Sequence, residues 1–305
     1  MSEKQKKMWV SIRKNAGLYV LLFIPIVWYI IFKYIPMYGL QIAFRRFNPT
    51  LGILKSPWVG ITYFKQFFES YYFKDVLVNT VTLSLFTLVI GFPMPIFLAL
   101  LINEIKSRKL KKAVQNITYM PNFLSVVVIV SMLSLFSNKN YGLFNQITAL
   151  FGAAPVDFMS KPSAFKPLYV FSNVWQNMGF NAIIYIAALS SVDQQLYEAA
   201  SIDGATRMQK IIHISIPCIT STILILFIMR IGSLMSVGFE KVLLMQRDVT
   251  LSSSEVISTF IYKNGIQKGQ FSYSTAVGLF NSVINFVLLM TANYVSKKTT
   301  KTSLW

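Results

Sequence analysis

The chain has 305 residues, 54% of them hydrophobic and only 13% charged, with a formal net charge of +18 and a mean hydropathy of +0.53. That apolar content excludes an ordinary soluble domain, and with it a nucleic-acid reading of the charge; basic residues at membrane borders account for it instead. The single cysteine, Cys218, excludes an intrachain disulfide and a cysteine-rich metal centre, and its apolar surroundings predict a small buried thiol.

Residues 1–14 are polar and basic. The apolar stretch that follows is too long for a signal-peptide core and has no small-residue cleavage site beyond it, so it is read as a retained first span. Six segments approach the roughly 20 apolar residues needed to cross a bilayer: 17–35, 76–102, 119–136, 168–189, 217–238 and 274–295. They are too long and too poor in alternation for barrel strands, so the predicted fold is all-α with six transmembrane helices. Pro25, Pro93, Pro95 and Pro217 fall within or at the edges of these spans, where kinks are tolerated.

Lys and Arg are divided almost evenly between the two sets of connections, but their density is not. Lys4, Lys6, Lys7, Arg13 and Lys14 crowd the N-tail, Lys106, Arg108, Lys109, Lys111 and Lys112 one short loop, and Lys297, Lys298 and Lys301 the C-tail. Short basic segments beside spans mark the cytoplasmic side, which predicts both termini inside a plasma or inner membrane. The outer connections, 36–75, 137–167 and 239–273, are long. The first holds Trp58, Phe64, Phe67, Phe68, Tyr71, Tyr72 and Phe73, which reads as an interfacial helix at headgroup level or as a contact surface for an external partner.

The connection 190–217 is predicted to be cytoplasmic. Ser191-Val192-Asp193-Gln194 fits a capping box, with Ser191 as the cap, opening a helix through Leu196-Tyr197-Glu198-Ala199-Ala200. Ala199 and Ala200 allow close approach of another surface, and Gly204 can end the helix. Residues 205–213 form a second short helix with Met208, Ile211 and Ile212 on one side, and Pro217 opens the next span. On physics alone this is either a docking element or an amphipathic linker lying on headgroups.

The pattern Glu198-Ala199-Ala200, Gly204, Ile214 and Pro217, with Asp203 and Ala205, resembles the signature loop of binding-protein-dependent ATP-binding-cassette (ABC) importer permeases. Pro36-Met37-Tyr38-Gly39, Phe47-Asn48-Pro49, Trp58-Val59-Gly60, Tyr185-Ile186-Ala187-Ala188-Leu189 and Gly238-Phe239-Glu240 are similar to the subgroup that handles complex saccharides. The resemblance implies a type I importer permease core. Residues 1–75 would be the N-tail, first helix and outer loop; 76–295 a five-helix core with its coupling loop at 190–217; and 296–305 a cytoplasmic tail. It further implies that Glu198, Ala199, Ala200, Asp203, Gly204, Ala205, Ile214 and Pro217 couple to ATPase subunits, Glu198 meeting basic residues there. The implied partners are a second homologous permease in a heterodimer, two cytoplasmic ATPases, an extracytoplasmic substrate-binding protein and the lipid bilayer, with no nucleic acid.

There is no G-x-x-x-x-G-K-[ST] loop and no Gly-Lys pair, so ATP is expected to be used by partner subunits and no cofactor to be held here. The lone His213, the lack of a nucleophile elbow and the lack of a metal-ligand cluster argue against an enzyme. Polar residues within spans suggest a substrate pathway. Arg230, with Glu240 as a partner, Trp175, Gln176, Asn177 and Asn181 on the fourth span, and Asn281 and Asn285 four apart on the sixth would offer aromatic faces, amides and charge to a sugar. Interhelical hydrogen bonding would use the same residues. An oligosaccharide or complex glycan is the expected cargo. The importer architecture with a non-sugar cargo, a stand-alone secondary transporter and a membrane scaffold remain the rival classes.

Overall fold

The computed structural model describes residues 14–300 and 302–304, and these are all helix and connecting turn, apart from one isolated bridge between Arg45 and Trp58. The basic tail residues Lys4, Lys6, Lys7 and Arg13, and Lys301, lie outside the described residues. Four helices are long and apolar enough to cross a membrane: α1 (Ala16–Phe44), α3 (Phe73–Asn103), α8 (Arg207–Gly232) and α11 (Phe271–Thr300). α2 (Thr62–Phe68) lies in the connection between the first two.

The segment expected as one span at 119–136 is instead two helices, α4 (Arg108–Phe123) and α5 (Val126–Phe136), bent by 96°. Counting that pair as one broken span brings the number of membrane-crossing candidates to five. Ser125 causes the break by capping α5, its Oγ accepting from the Val128 N–H at 3.3 Å. The 11 residues of α5 rise roughly 16 Å, about half the hydrocarbon thickness. The expected fourth span lies inside α6 (Pro162–Ser190), whose 29 residues are long enough to cross but which is not among the apolar candidates. It carries Asn173, Gln176, Asn177 and Asn181, which lower its hydropathy; one face is buried among its neighbours, while Phe171, Trp175, Phe180 and Ile184 are exposed. The fifth span was expected at 217–238; α8 starts ten residues earlier and ends at Gly232, and Ser233–Val237 turn into α9 (Phe239–Met245).

Helix α6 is central, packing along the Pro93–Asn103 half of α3 and against α4 and α8. Its closest approach to α4 is at Gly179, where an added Cβ would lie 2.0 Å from the Thr118 carbonyl oxygen. Three apolar clusters hold the bundle. Leu83, Ile129, Val174 and Met245 form the middle one. Ala99, Leu100, Tyr185, Leu189 and Ile219 form a second, with Val192 and Ile211 packed against it. The third centres on Phe67, 1% exposed, with Phe73, Phe280, Tyr273 and α10 (Ile257–Tyr262) around it. Phe67 is therefore core, whereas Trp58, Tyr71 and Tyr72 are exposed.

Helix α1 stands apart. None of its apolar window is buried, and only its last turns, Tyr38–Phe44, rest on α11. A helix apolar all round with no protein cover belongs in lipid or against another subunit. Cys218, on α8, is exposed rather than buried.

Candidate functional sites: a capped loop and a polar cleft

The first site is the connection between α6 and α8. Helix α7 (Gln194–Ile202) is capped by Asp193, whose Oδ1 accepts from the Gln195 N–H at 3.0 Å. Ser191, the expected cap, instead donates to the Ala188 carbonyl at 2.7 Å and so closes α6. The helix ends in a Schellman turn. Gly204 is left-handed (φ +76°), the Ala205 N–H donates to the Ala200 carbonyl at 2.8 Å, and the Gly204 N–H to the Ser201 carbonyl at 3.2 Å. The capping box is found instead at the start of the next helix: the Thr206 N–H donates to Gln209 Oε1 at 2.7 Å, and the Gln209 N–H to Thr206 Oγ1 at 3.3 Å.

No break separates the expected second short helix from the span; α8 runs through both. A π turn at Ile211–Ser215 comes immediately before Pro217, which lacks the N–H a regular helix needs there. Two side-chain bonds lock α7 to α8. Lys210 Nζ donates to Ser201 Oγ at 2.7 Å, and the Tyr197 hydroxyl meets the buried Ser215 hydroxyl at 2.9 Å. Sequence reading missed Tyr197, Ser201, Lys210 and Ser215, since nothing local signals a contact 18 residues apart.

Of the loop residues singled out, Glu198, Ala199, Asp203, Gly204 and Pro217 are exposed, and Ala200, Ala205 and Ile214 are half-buried. Leu196, Ile202 and Met208 of the same loop are exposed as well, Ile202 by 87%. Large apolar side chains are thus held out on a well-capped polar loop. This is also the end of the bundle reached by the Asn103 end of α3, because Leu100, Leu189, Val192 and Ile211 share one cluster. Lys106–Lys112 follow directly from it, and α11 returns toward it with Lys297 and Lys298 in its last turn.

The second site is a polar cleft of about 340 Å³ between α3, α6 and the end of α8. Tyr169, Asn173, Asn177 and Asn181 recur every four residues along one face of α6 and line it, opposite Arg230 and with Thr87 and Ser236 at the sides. Asn177 is held in place, its Oδ1 accepting from Asn122 Nδ2 at 3.0 Å and its Nδ2 donating to Asn173 Oδ1 at 2.9 Å. Arg230 sits in the last turn of α8, where a cation complements the helix dipole.

The other proposed pathway residues lie elsewhere. Trp175 lines a separate apolar pocket with Phe171 and Phe144. Gln176 is buried, donating to the Leu124 carbonyl at 3.3 Å and accepting from Lys241 at 3.5 Å. Glu240 is exposed and makes no ion pair with Arg230; Lys263–Glu255 is the one salt bridge among the described residues. Asn285 clamps the turn after α8, accepting from the Met235 N–H at 2.9 Å and donating to Ser236 Oγ at 3.1 Å. Asn281 is half-buried, with its Oδ1 unpartnered.

Sequence reading also missed Lys241 on α9. It is 5% exposed, lies 5.7 Å from the centre of the Tyr169 ring, and burial pushes its ammonium down to about 8. Asn173 was legible as one more step of the four-residue series that contains Asn177 and Asn181.

A bundle of apolar helices with a polar cleft and a well-capped loop carrying exposed apolar side chains fits a transport component. Comparison with known proteins agrees. Residues 91–301 match the family described as binding-protein-dependent transport system inner membrane component, and the chain belongs to that family. It is 40% identical to Protein LplB of Bacillus subtilis (strain 168) over 95% of this chain and 92% of that protein. It is also 40% identical to the polygalacturonan/rhamnogalacturonan transport system permease protein YteP of the same strain, over 97% and 92%. A crystal structure of a bacterial alginate ABC transporter in complex with alginate pentasaccharide-bound periplasmic protein contains a chain that matches with a TM-score of 0.89 and 40% identity, over 98% of this chain and 100% of that one.

Proposed function

We propose that this chain is one permease half of an ATP-driven oligosaccharide importer, and that α7 is its coupling helix. In this reading the ATPase surface closes over Glu198, Ala199, Ile202 and Met208. Glu198 pairs with basic residues there, while Gly204 sets the bend that presents the helix. The observation that carries the reading is the double lock between α7 and α8. Because Lys210–Ser201 and Tyr197–Ser215 tie the docking helix to a span, a push at α7 moves α8 as a rigid lever. A loosely tethered linker on the headgroups would need neither bond.

The end carrying α7 is the cytoplasmic one, with both termini on that side. Support comes from the basic segment Lys106–Lys112 and from Lys297 and Lys298, which converge on that end. Residues 76–295 form the core, and the uncovered apolar face of α1 is left for lipid or the second permease. A saccharide cargo is supported by the polygalacturonan/rhamnogalacturonan and alginate systems among the similar proteins and by the amide-lined cleft. A binding protein delivers the cargo from outside, and two ATPase subunits supply the energy.

The test is co-purification in mild detergent of wild type, Glu198→Arg and Gly204→Val with the ATPase subunit. Wild type retains the ATPase and the variants lose it. A wild-type complex that carries no ATPase would sink the importer reading.

A further inference from the structure

Two contacts with α6 set the buried side of α4: the Thr118 backbone lies against Gly179, and Asn122 donates to Asn177. The other side of α4 is uncovered. Along it Arg108, Lys109 and Lys112 form an exposed basic strip, and Leu110, Ala113, Ile117 and Met120 form an exposed apolar strip. At 3.6 residues per turn the two strips are adjacent and together take up about half of the helix circumference. They also differ in depth. The contact at Gly179 lies roughly 16 Å short of the Ser190 end of α6, about half of a hydrocarbon core. Arg108 precedes Thr118 by about 15 Å of helix, which brings the start of α4 level with that end. The basic strip therefore lies at the membrane border, and the apolar strip runs from it into the bilayer. No Asp or Glu occurs between Glu104 and Asp157, and none of Lys106, Arg108, Lys109, Lys111 and Lys112 makes an ion pair among the described residues. Ser107 caps the helix, its Oγ accepting from the Leu110 N–H at 3.4 Å, so these cations stand on a formed first turn.

We propose that this face of α4 is a binding site for an anionic phospholipid in the leaflet at that end of the bundle. Arg108, Lys109 and Lys112 take the phosphate, and an acyl chain lies along Ala113, Ile117 and Met120, the small Ala113 leaving room for it. A surface that is cationic at the border and apolar below it repeats the layering of such a lipid. A zwitterionic lipid would bring an ammonium group up to the same cations, so the site discriminates between headgroups. A water-soluble subunit does not fit the face equally well, because Ile117 and Met120 lie at hydrocarbon depth. The inference needs only the membrane placement of the bundle and stands apart from the cargo and from the loop at α7.

The experiment uses the assembled permease with its partner subunits in proteoliposomes of phosphatidylcholine and phosphatidylglycerol. The background is Cys218→Ser, since Cys218 is exposed. A fluorophore is attached at Ile117→Cys and, as a control for bulk lipid, at Phe286→Cys, an exposed position on α11. Quenching is measured with one lipid brominated and then the other, which gives their relative association at each position. The expected result is a preference for phosphatidylglycerol of roughly threefold or more at position 117 and none at 286. The preference should vanish when Arg108→Gln, Lys109→Gln and Lys112→Gln are combined, and in the unaltered basic strip when about 1 M NaCl screens the charges. Equal quenching by the two lipids at position 117 would overturn the proposal, as would a preference that survives the triple variant. Should that variant fail to assemble, the salt series decides, and a preference that persists in high salt overturns the site. Quenching by neither lipid at position 117, with normal quenching at 286, would show that a protein surface covers this face and would also overturn it.

Discussion

Gly204 is where a small, calculable perturbation should reach function. It sits at φ +76° with no heavy atom within 4 Å of where a Cβ would be, so a side chain there meets backbone strain and no clash. An L-residue in the left-handed region costs about 1–2 kcal/mol, Asn less because its side chain tolerates that region, and a β-branched residue more. Unwinding the turn to relieve the strain would forfeit the Ala205–Ala200 and Gly204–Ser201 bonds, each worth about 1 kcal/mol. Alanine should therefore keep the turn and carry its strain in the free and the docked loop alike, while valine exceeds what the two bonds hold and unwinds it. In the coupling-helix reading, docking of the valine variant has to restore the native bend against the surplus strain. Gly204→Asn and Gly204→Ala should then bind the ATPase within about threefold of wild type, whereas Gly204→Val should lose about tenfold for each 1.4 kcal/mol of strain beyond the roughly 2 kcal/mol that the two bonds supply. Titration of labelled ATPase subunit against the purified permease pair, with helicity and assembly checked in parallel, measures the series. Equal affinities for all four proteins, or Asn weaker than Val, would refute the argument.

Two further outcomes follow from close packing and buried charge. Gly179→Ala places a Cβ against the Thr118 carbonyl of α4; backbone on both sides leaves no flexible atom to yield, so the variant should lose about 3 kcal/mol or more, and fluorescence-detected size exclusion should show little monodisperse protein. Lys241→Met should stabilise the fold at pH 7. The folded ammonium titrates near 8, below the free-lysine value, so the charged form disfavours folding by roughly 3 kcal/mol. That penalty is fully present below about pH 8 and fades as pH rises toward ~10.4. The melting temperature of the variant should thus exceed that of wild type at pH 7 and converge with it near pH 10; a variant less stable at pH 7 would show that Lys241 holds the fold together.

The amino-acid sequence by itself determined the membrane class, the all-helical fold and the place of the capped loop between α6 and α8. Apolar runs of bilayer length are one-dimensional signals, and Glu198-Ala199-Ala200 with Gly204 is a local pattern whose turn chemistry is written in neighbouring residues. Local chemistry could still mislead by a residue or two. Ser191 and Asp193 both offer a capping oxygen, and only the path of the chain out of α6 assigned the cap to Asp193. The tertiary structure alone decided the rest. That α5 turns 96° from α4, that Phe67 is core and Cys218 is not, and that Tyr197 reaches Ser215 are relations between segments far apart in sequence. The cleft is the clearest case. Asn177, Asn181 and Arg230 meet there, while Trp175, Gln176, Glu240, Asn281 and Asn285 lie elsewhere. Polarity within a span is visible in sequence, but the direction a side chain faces depends on how each helix is rotated against its neighbours, and packing sets that rotation.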